Sequence, residues 1–118
     1  MKNIVASKSY QFALKIISLY KLLAFEQNEF VLSKQLLRSG TAVGALVKEA
    51  EHAQSKADFL NKMNVALKEI NETEYWLMLL KDSVFISEIE YNSIYCDCKE
   101  LIKILASIVK TTKTSLQK

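Results

Sequence analysis

The only histidine of the chain, His52, follows Glu49 at a spacing of three, and Glu-x-x-His on a helix sets a carboxylate and an imidazole on one face, as di-iron helical bundles require. Such a centre also draws carboxylates from the other helices, yet the first 25 residues contain no aspartate or glutamate. A solvated helix end fits Glu49 and His52 better. Cys96 and Cys98, two positions apart, point to nearly opposite sides of a helix and close no disulfide there. They also lack further ligands at zinc spacing. Cys98 falls on an apolar stripe and reads as packing, and free thiols agree with a reducing cytoplasm. No Gly-rich phosphate loop, nucleophile elbow or His-Glu-x-x-His motif occurs. The residues point away from an enzyme and call for no cofactor and no metal.

Charge carries more information than motif. Lys2, Lys8, Lys15 and Lys21 give the first segment +4, so the rest of a chain of formal net charge +3 sums to −1. Lys8, Lys15 and Lys21 form a basic strip and are the candidate nucleic-acid contacts. Lys110, Lys113 and Lys118 add charge near the other terminus. The plainer reading is that these lysines only solvate the outside of a bundle, because a net charge of +3 is ordinary for a small domain.

The elements that must position these residues are helices. The chain has 118 residues, 50% of them apolar, no proline and two glycines, whereas an all-β domain needs turn residues every ten or so positions. Val5, Phe12, Ile16, Leu19 and Leu23 recur at helical spacing in a first helix over about 3–25. Leu32, Leu36, Val43, Leu46 and Ala50 do so in a second over 32–53. Leu60, Met63, Leu67, Ile70 and Leu77 mark a third over 57–82, with Trp76 on its flank. Ser87 with Glu90 opens a fourth over 87–112 as a capping box, followed by Ile94, Cys98, Leu101, Leu105 and Ile108, with a frayed tail beyond Thr111. Short connections make neighbours antiparallel. The expected fold is all-α, one domain over 1–118 forming an up-down-up-down four-helix bundle. Lysines interrupt the first apolar segment and no apolar run approaches a bilayer span, which predicts a soluble cytoplasmic protein with no membrane partner.

Three features go beyond the core pattern. Gly40 and Gly44 lie inside the second helix, where each costs about 1 kcal/mol relative to alanine. With Ser39, Thr41, Ala42 and Ala45 they would let another helix backbone approach closely, the alternative being a helix break at Gly40. Reflection of the second helix onto the third places Arg38 opposite Glu72 and Glu74, the latter in a seam position, and Glu49 opposite Lys62. A polar pairing across the two helices is therefore expected. On the first helix, Tyr10, Leu14 and Ile17 make a second apolar stripe that a lone bundle would leave in water, which predicts contact with another chain and a homo-oligomer.

The stretch Gln35-Leu36-Leu37-Arg38-Ser39-Gly40-Thr41-Ala42-Val43-Gly44-Ala45 with Val47-Lys48-Glu49-Ala50 resembles the second helix of the 23S rRNA-intervening sequence proteins. Phe59-Leu60, Ala66-Leu67-Lys68-Glu69, Glu72-Thr73-Glu74-Tyr75-Trp76-Leu77 and Leu80-Lys81-Asp82 are similar to the third. The resemblance spans nearly the whole chain. It implies a four-helix bundle assembling into a ring, commonly a pentamer, encoded in some bacteria within an insertion in the large ribosomal RNA gene. A distant branch, the accessory variability proteins of diversity-generating retroelements, uses a basic ring to engage a reverse transcriptase and nucleic acid. This chain departs from that branch in being only mildly basic. The expected function is a non-enzymatic oligomeric interaction module for RNA, DNA or a nucleic-acid enzyme. A purely protein-binding or structural assembly is the alternative.

Overall fold

The computed structural model describes residues 3–117, and its four helices run alternately up and down: α1 (Ile4–Lys21), α2 (Leu32–Ala50), α3 (Lys56–Asp82) and α4 (Glu88–Leu116). No strand occurs among the described residues, and the architecture is the antiparallel four-helix bundle expected from the periodicity, a rod of 50 × 24 × 21 Å. Its core is a single run of apolar side chains. Phe12 and Ile16 of α1, Leu36, Val43 and Val47 of α2, Met63, Ile70 and Leu77 of α3, and Leu101 and Leu105 of α4 are all almost fully buried.

The helix ends follow from local chemistry. Asn3 accepts from the Ala6 amide at 3.1 Å and Ser55 from the Asp58 amide at 3.0 Å, each satisfying one of the free N–H groups of a first turn. Ser87 and Glu90 close the capping box that their spacing predicts, at 3.1 and 2.8 Å. α2 has no such cap at Val31. Instead, the Glu29 carboxylate accepts from the amides of Val31, Leu32 and Ser33 at 3.3, 3.1 and 2.7 Å. α1 runs on into a π turn, Leu22–Glu26, which keeps Leu23 and Ala24 in the core and turns Phe25 outward to 71% exposure. At the end of α3, Val84 adopts φ 69° and the Phe85 amide returns to the Leu80 carbonyl at 2.9 Å, a closing geometry that glycine usually provides.

Two boundaries differ from the sequence expectation. α2 stops at Ala50, and Glu51 and His52 form a turn. α4 does not fray after Thr111 but continues to Leu116. Val109 and Thr112 extend its buried stripe, and the Lys56 ammonium donates to Ser115 Oγ, so the last turn is held against the start of α3.

α2 is continuous through both glycines, and the helix that approaches them is α1. A Cβ on Gly40 would stand 2.8 Å from Cγ1 and 2.9 Å from Cγ2 of the buried Ile16, whereas one on Gly44 would meet the Ser9 carbonyl oxygen at 3.4 Å. On the opposite side α2 is linked to α3 by a buried hydroxyl pair, Ser39 Oγ and Thr73 Oγ1 at 2.8 Å.

Candidate functional site

Two of the three lysines of α1 have carboxylate neighbours across the α1–α4 seam. Lys8 Nζ lies 3.1 Å from Glu100, and Lys15 is paired with Asp97. The sequence reading found no acid near them because both acids come from α4, 92 residues from Lys8 and 82 from Lys15 in the chain. The strip is therefore neutralised at Lys8 and Lys15. Lys21, at the last turn of α1, is exposed and has no carboxylate within 4.0 Å among the described residues. Lys110 and Lys113 are exposed near the start of α1, and Lys118 lies outside the described residues.

A larger unpaired set lies on the C-terminal half of α4. No aspartate or glutamate follows Glu100, and Lys103, Lys110 and Lys113 all stand exposed with no carboxylate partner among the described residues. Lys103 escaped the sequence reading, although the acid-free run after Glu100 was a signal that could have found it.

The second apolar stripe divides in the folded chain. Tyr10 is 62% and Leu14 44% exposed, while Ile17 is half-buried. Tyr10 forms one lip of an open groove of about 390 Å³ between α1 and α2, floored by Ala6, Ala13 and Gly44. Leu14 lines another, about 540 Å³, between α1 and α4, together with Leu19, Ile89 and Ile94. Ile89 is 82% exposed.

The polar pairing between α2 and α3 takes a different form from that expected. Arg38 reaches Glu69 at 3.3 Å and Glu72 at 2.5 Å but not Glu74. Glu74 instead meets Lys99 of α4 at 3.3 Å. Helical phase is the reason: two steps beyond Glu72 turn the side chain by about 200°, from the α2 side of α3 to its α4 side. Donating to Glu72 and Glu69 raises the Arg38 pKa, Glu72 contributing most, and the hydrogen bond that Lys99 donates to Glu74 raises that of Lys99. Lys62 Nζ lies 3.8 Å from Glu49 and 4.0 Å from Asp58.

The groups that suggested reaction chemistry do not converge. Among the described residues no group of three or more His, Cys, Asp or Glu side chains is placed to hold a metal ion. Both cysteines are free. Burial pushes the Cys98 thiol up to about 12, and its Sγ sits 3.8 Å from the Ile70 carbonyl, whereas Cys96 is exposed. Trp76 is half-buried with its Nε1 unpartnered.

An antiparallel bundle with its polar residues in ion pairs and two open grooves along one helix defines the class: a small four-helix bundle protein. Within that class, the family model for the 23S rRNA-intervening sequence protein matches residues 1–107, and the chain belongs to this family. It is similar to the crystal structure of a protein of unknown function from the S23 ribosomal protein family of Bacteroides thetaiotaomicron, with 57% identity, a TM-score of 0.89, and coverage of 91% of this chain and 99% of that one. No curated protein matches it. No described helix is long and apolar enough to cross a membrane.

Proposed function

We propose that the protein is a non-catalytic interaction module that works as a homo-oligomer, with a ring of five as the assembly, and that its partner is nucleic acid or an enzyme bound to it. The observation that carries the reading is the apolar surface on either side of α1: Tyr10, 62% exposed, at the α1–α2 groove, and Leu14, 44% exposed, in the α1–α4 groove that Ile89 extends at 82% exposure. Scattered apolar side chains on a surface are ordinary, but adjoining ones that line grooves favour contact with another chain. Assembly would repeat each cationic surface several times and turn weak phosphate contacts into avidity. Light scattering at micromolar concentration tests the assembly. A multiple of 13.5 kDa supports it, and the mass of one chain overturns it.

The second reading, a protein-binding or structural assembly without nucleic acid, is favoured by the pairing of Lys8 with Glu100 and Lys15 with Asp97. Retention on immobilised nucleic acid that falls steeply between about 50 and 200 mM salt supports the first reading, and no retention at the lower salt supports the second.

A further inference from the structure

We propose that the outer face formed by α3 and the C-terminal half of α4 is the surface that takes the phosphate backbone of nucleic acid. This rests on the nucleic-acid reading above and moves the contact away from α1. The argument begins with how the cations are distributed. Six of them are matched: Lys8 with Glu100, Lys15 with Asp97, Lys62 with Glu49, Lys81 with Asp82, Lys99 with Glu74, and Arg38 with Glu69 and Glu72. Lys21, Lys34, Lys48, Lys56, Lys68, Lys103, Lys110 and Lys113 are all exposed, none has a carboxylate within 4.0 Å among the described residues, and five of these eight are on α3 and α4.

Of these, Lys68, Lys103 and Lys110 share the outer face, each on the side of its helix away from the buried stripe. The cross-helix contacts Lys56–Ser115 and Lys99–Glu74 fix the antiparallel register of α3 and α4, and that register brings Lys68 level with Lys103. At 100° per residue, Lys103 and Lys110 point away from the buried stripe of Cys98, Leu101, Leu105 and Val109, and stand about 10 Å apart along the helix. Attraction to the carbonyl end of α4 accounts for Lys113 in its last turn, but that effect fades within one turn and does not reach Lys103 or Lys110.

The neutral residues of the face are exposed Asn61, Asn64 and Asn71 on α3 and Ser107 on α4, side chains that donate to phosphate oxygens. A membrane surface is a poorer fit. Val31, Val84 and Ile89, among the most exposed apolar side chains, lie at the opposite end of the rod, where Glu26, Asp82, Glu88 and Glu90 are also exposed and would repel anionic lipid. The face combines lysines with amide and hydroxyl donors and so engages phosphates, and selects little by base sequence.

The test is fluorescence anisotropy of a labelled DNA duplex of about 20 base pairs titrated with the full chain from about 50 to 200 mM salt. The parent is compared with Lys103→Gln/Lys110→Gln and with Lys8→Gln/Lys15→Gln. Circular dichroism checks that helix content is unchanged, which the exposure of Lys103 and Lys110 leads one to expect. The α4 pair should weaken binding at least about tenfold at the lower salt and reduce the steepness of the log–log salt dependence by about 1.8, two phosphate contacts at about 0.9 each. The α1 pair should change both little. Parent binding that is lost with the α1 pair, or kept in full by both variants, overturns the assignment to α3 and α4 and leaves the nucleic-acid reading standing. No binding by the parent at about 50 mM salt overturns both.

Discussion

Alanine at the two glycines of α2 should act in opposite directions, although both substitutions raise helix propensity by about 1 kcal/mol. At Gly40 the new Cβ would sit 2.8, 2.9 and 3.1 Å from three carbons of Ile16, a side chain with no exposed surface and therefore no room to swing aside. Overpacking of this kind costs about 1–3 kcal/mol, which leaves Gly40→Ala a net loss of up to about 2 kcal/mol. At Gly44 the nearest atom is the Ser9 carbonyl oxygen at 3.4 Å, an ordinary contact, so Gly44→Ala should keep most of its propensity gain. Thermal unfolding at one fixed protein concentration measures both, since assembly would make the midpoint concentration-dependent. The midpoints should separate by several degrees, at about 4 °C per kcal/mol for a chain of this size. Ile16→Ala removes all three crowding carbons at a cost of about 2–5 kcal/mol, so Gly40→Ala should cost less in that background than alone. Equal stabilisation by Gly40→Ala and Gly44→Ala would refute the close approach of α1 to α2 at Ile16.

Two further predictions follow from the ion pairs and the buried thiol. Arg38→Ala should lower stability by no more than about 1 kcal/mol, because Arg38 is half exposed and Glu74 has its own partner in Lys99. Lys99→Met, which strands a carboxylate only 20% exposed, should lower the denaturation midpoint further, and the reverse order would show the pairs to be misassigned. Native protein alkylated with iodoacetamide at about pH 8 should gain a single adduct, on Cys96, since burial holds the Cys98 thiol protonated with its pKa pushed up to about 12, well above that of an ordinary thiol. A raised folded-state pKa contributes stability that is complete below the unfolded value and is lost as pH rises through the folded one. Cys98 should accordingly lower stability from about pH 9 to pH 12, a decline that Cys98→Ala lessens. Two adducts forming at equal rates by mass spectrometry would overturn its burial.

What the sequence revealed and what it concealed divide along a physical line. Periodicity reports which residues of one helix share a face, so Phe12 and Ile16, Leu36 and Val43, Ile70 and Leu77, and Leu101 and Leu105 could be assigned to the core before any contact was known. Periodicity does not report which neighbour a flank faces. Arg38 was correctly set against α3 near Glu72, but Glu74 was given to the same partner because position in the turn-reflected register was counted and rotation about the helix axis was not. The same gap hid Glu100 and Asp97 from Lys8 and Lys15. α1 and α4 are joined only by the closing of the bundle, and no turn fixes their register for a reader of the chain. A charge strip counted along one helix therefore overstates its field whenever the closing helix carries the opposite sign. The reliable sequence signal is a segment whose own acids are absent and whose spatial neighbour is also poor in them. The stretch after Glu100 is such a segment. Its α3 neighbours Asn61, Asn64 and Lys68 bring no carboxylate to that face, so Lys103 and Lys110 stay unpaired among the described residues where Lys8 and Lys15 do not.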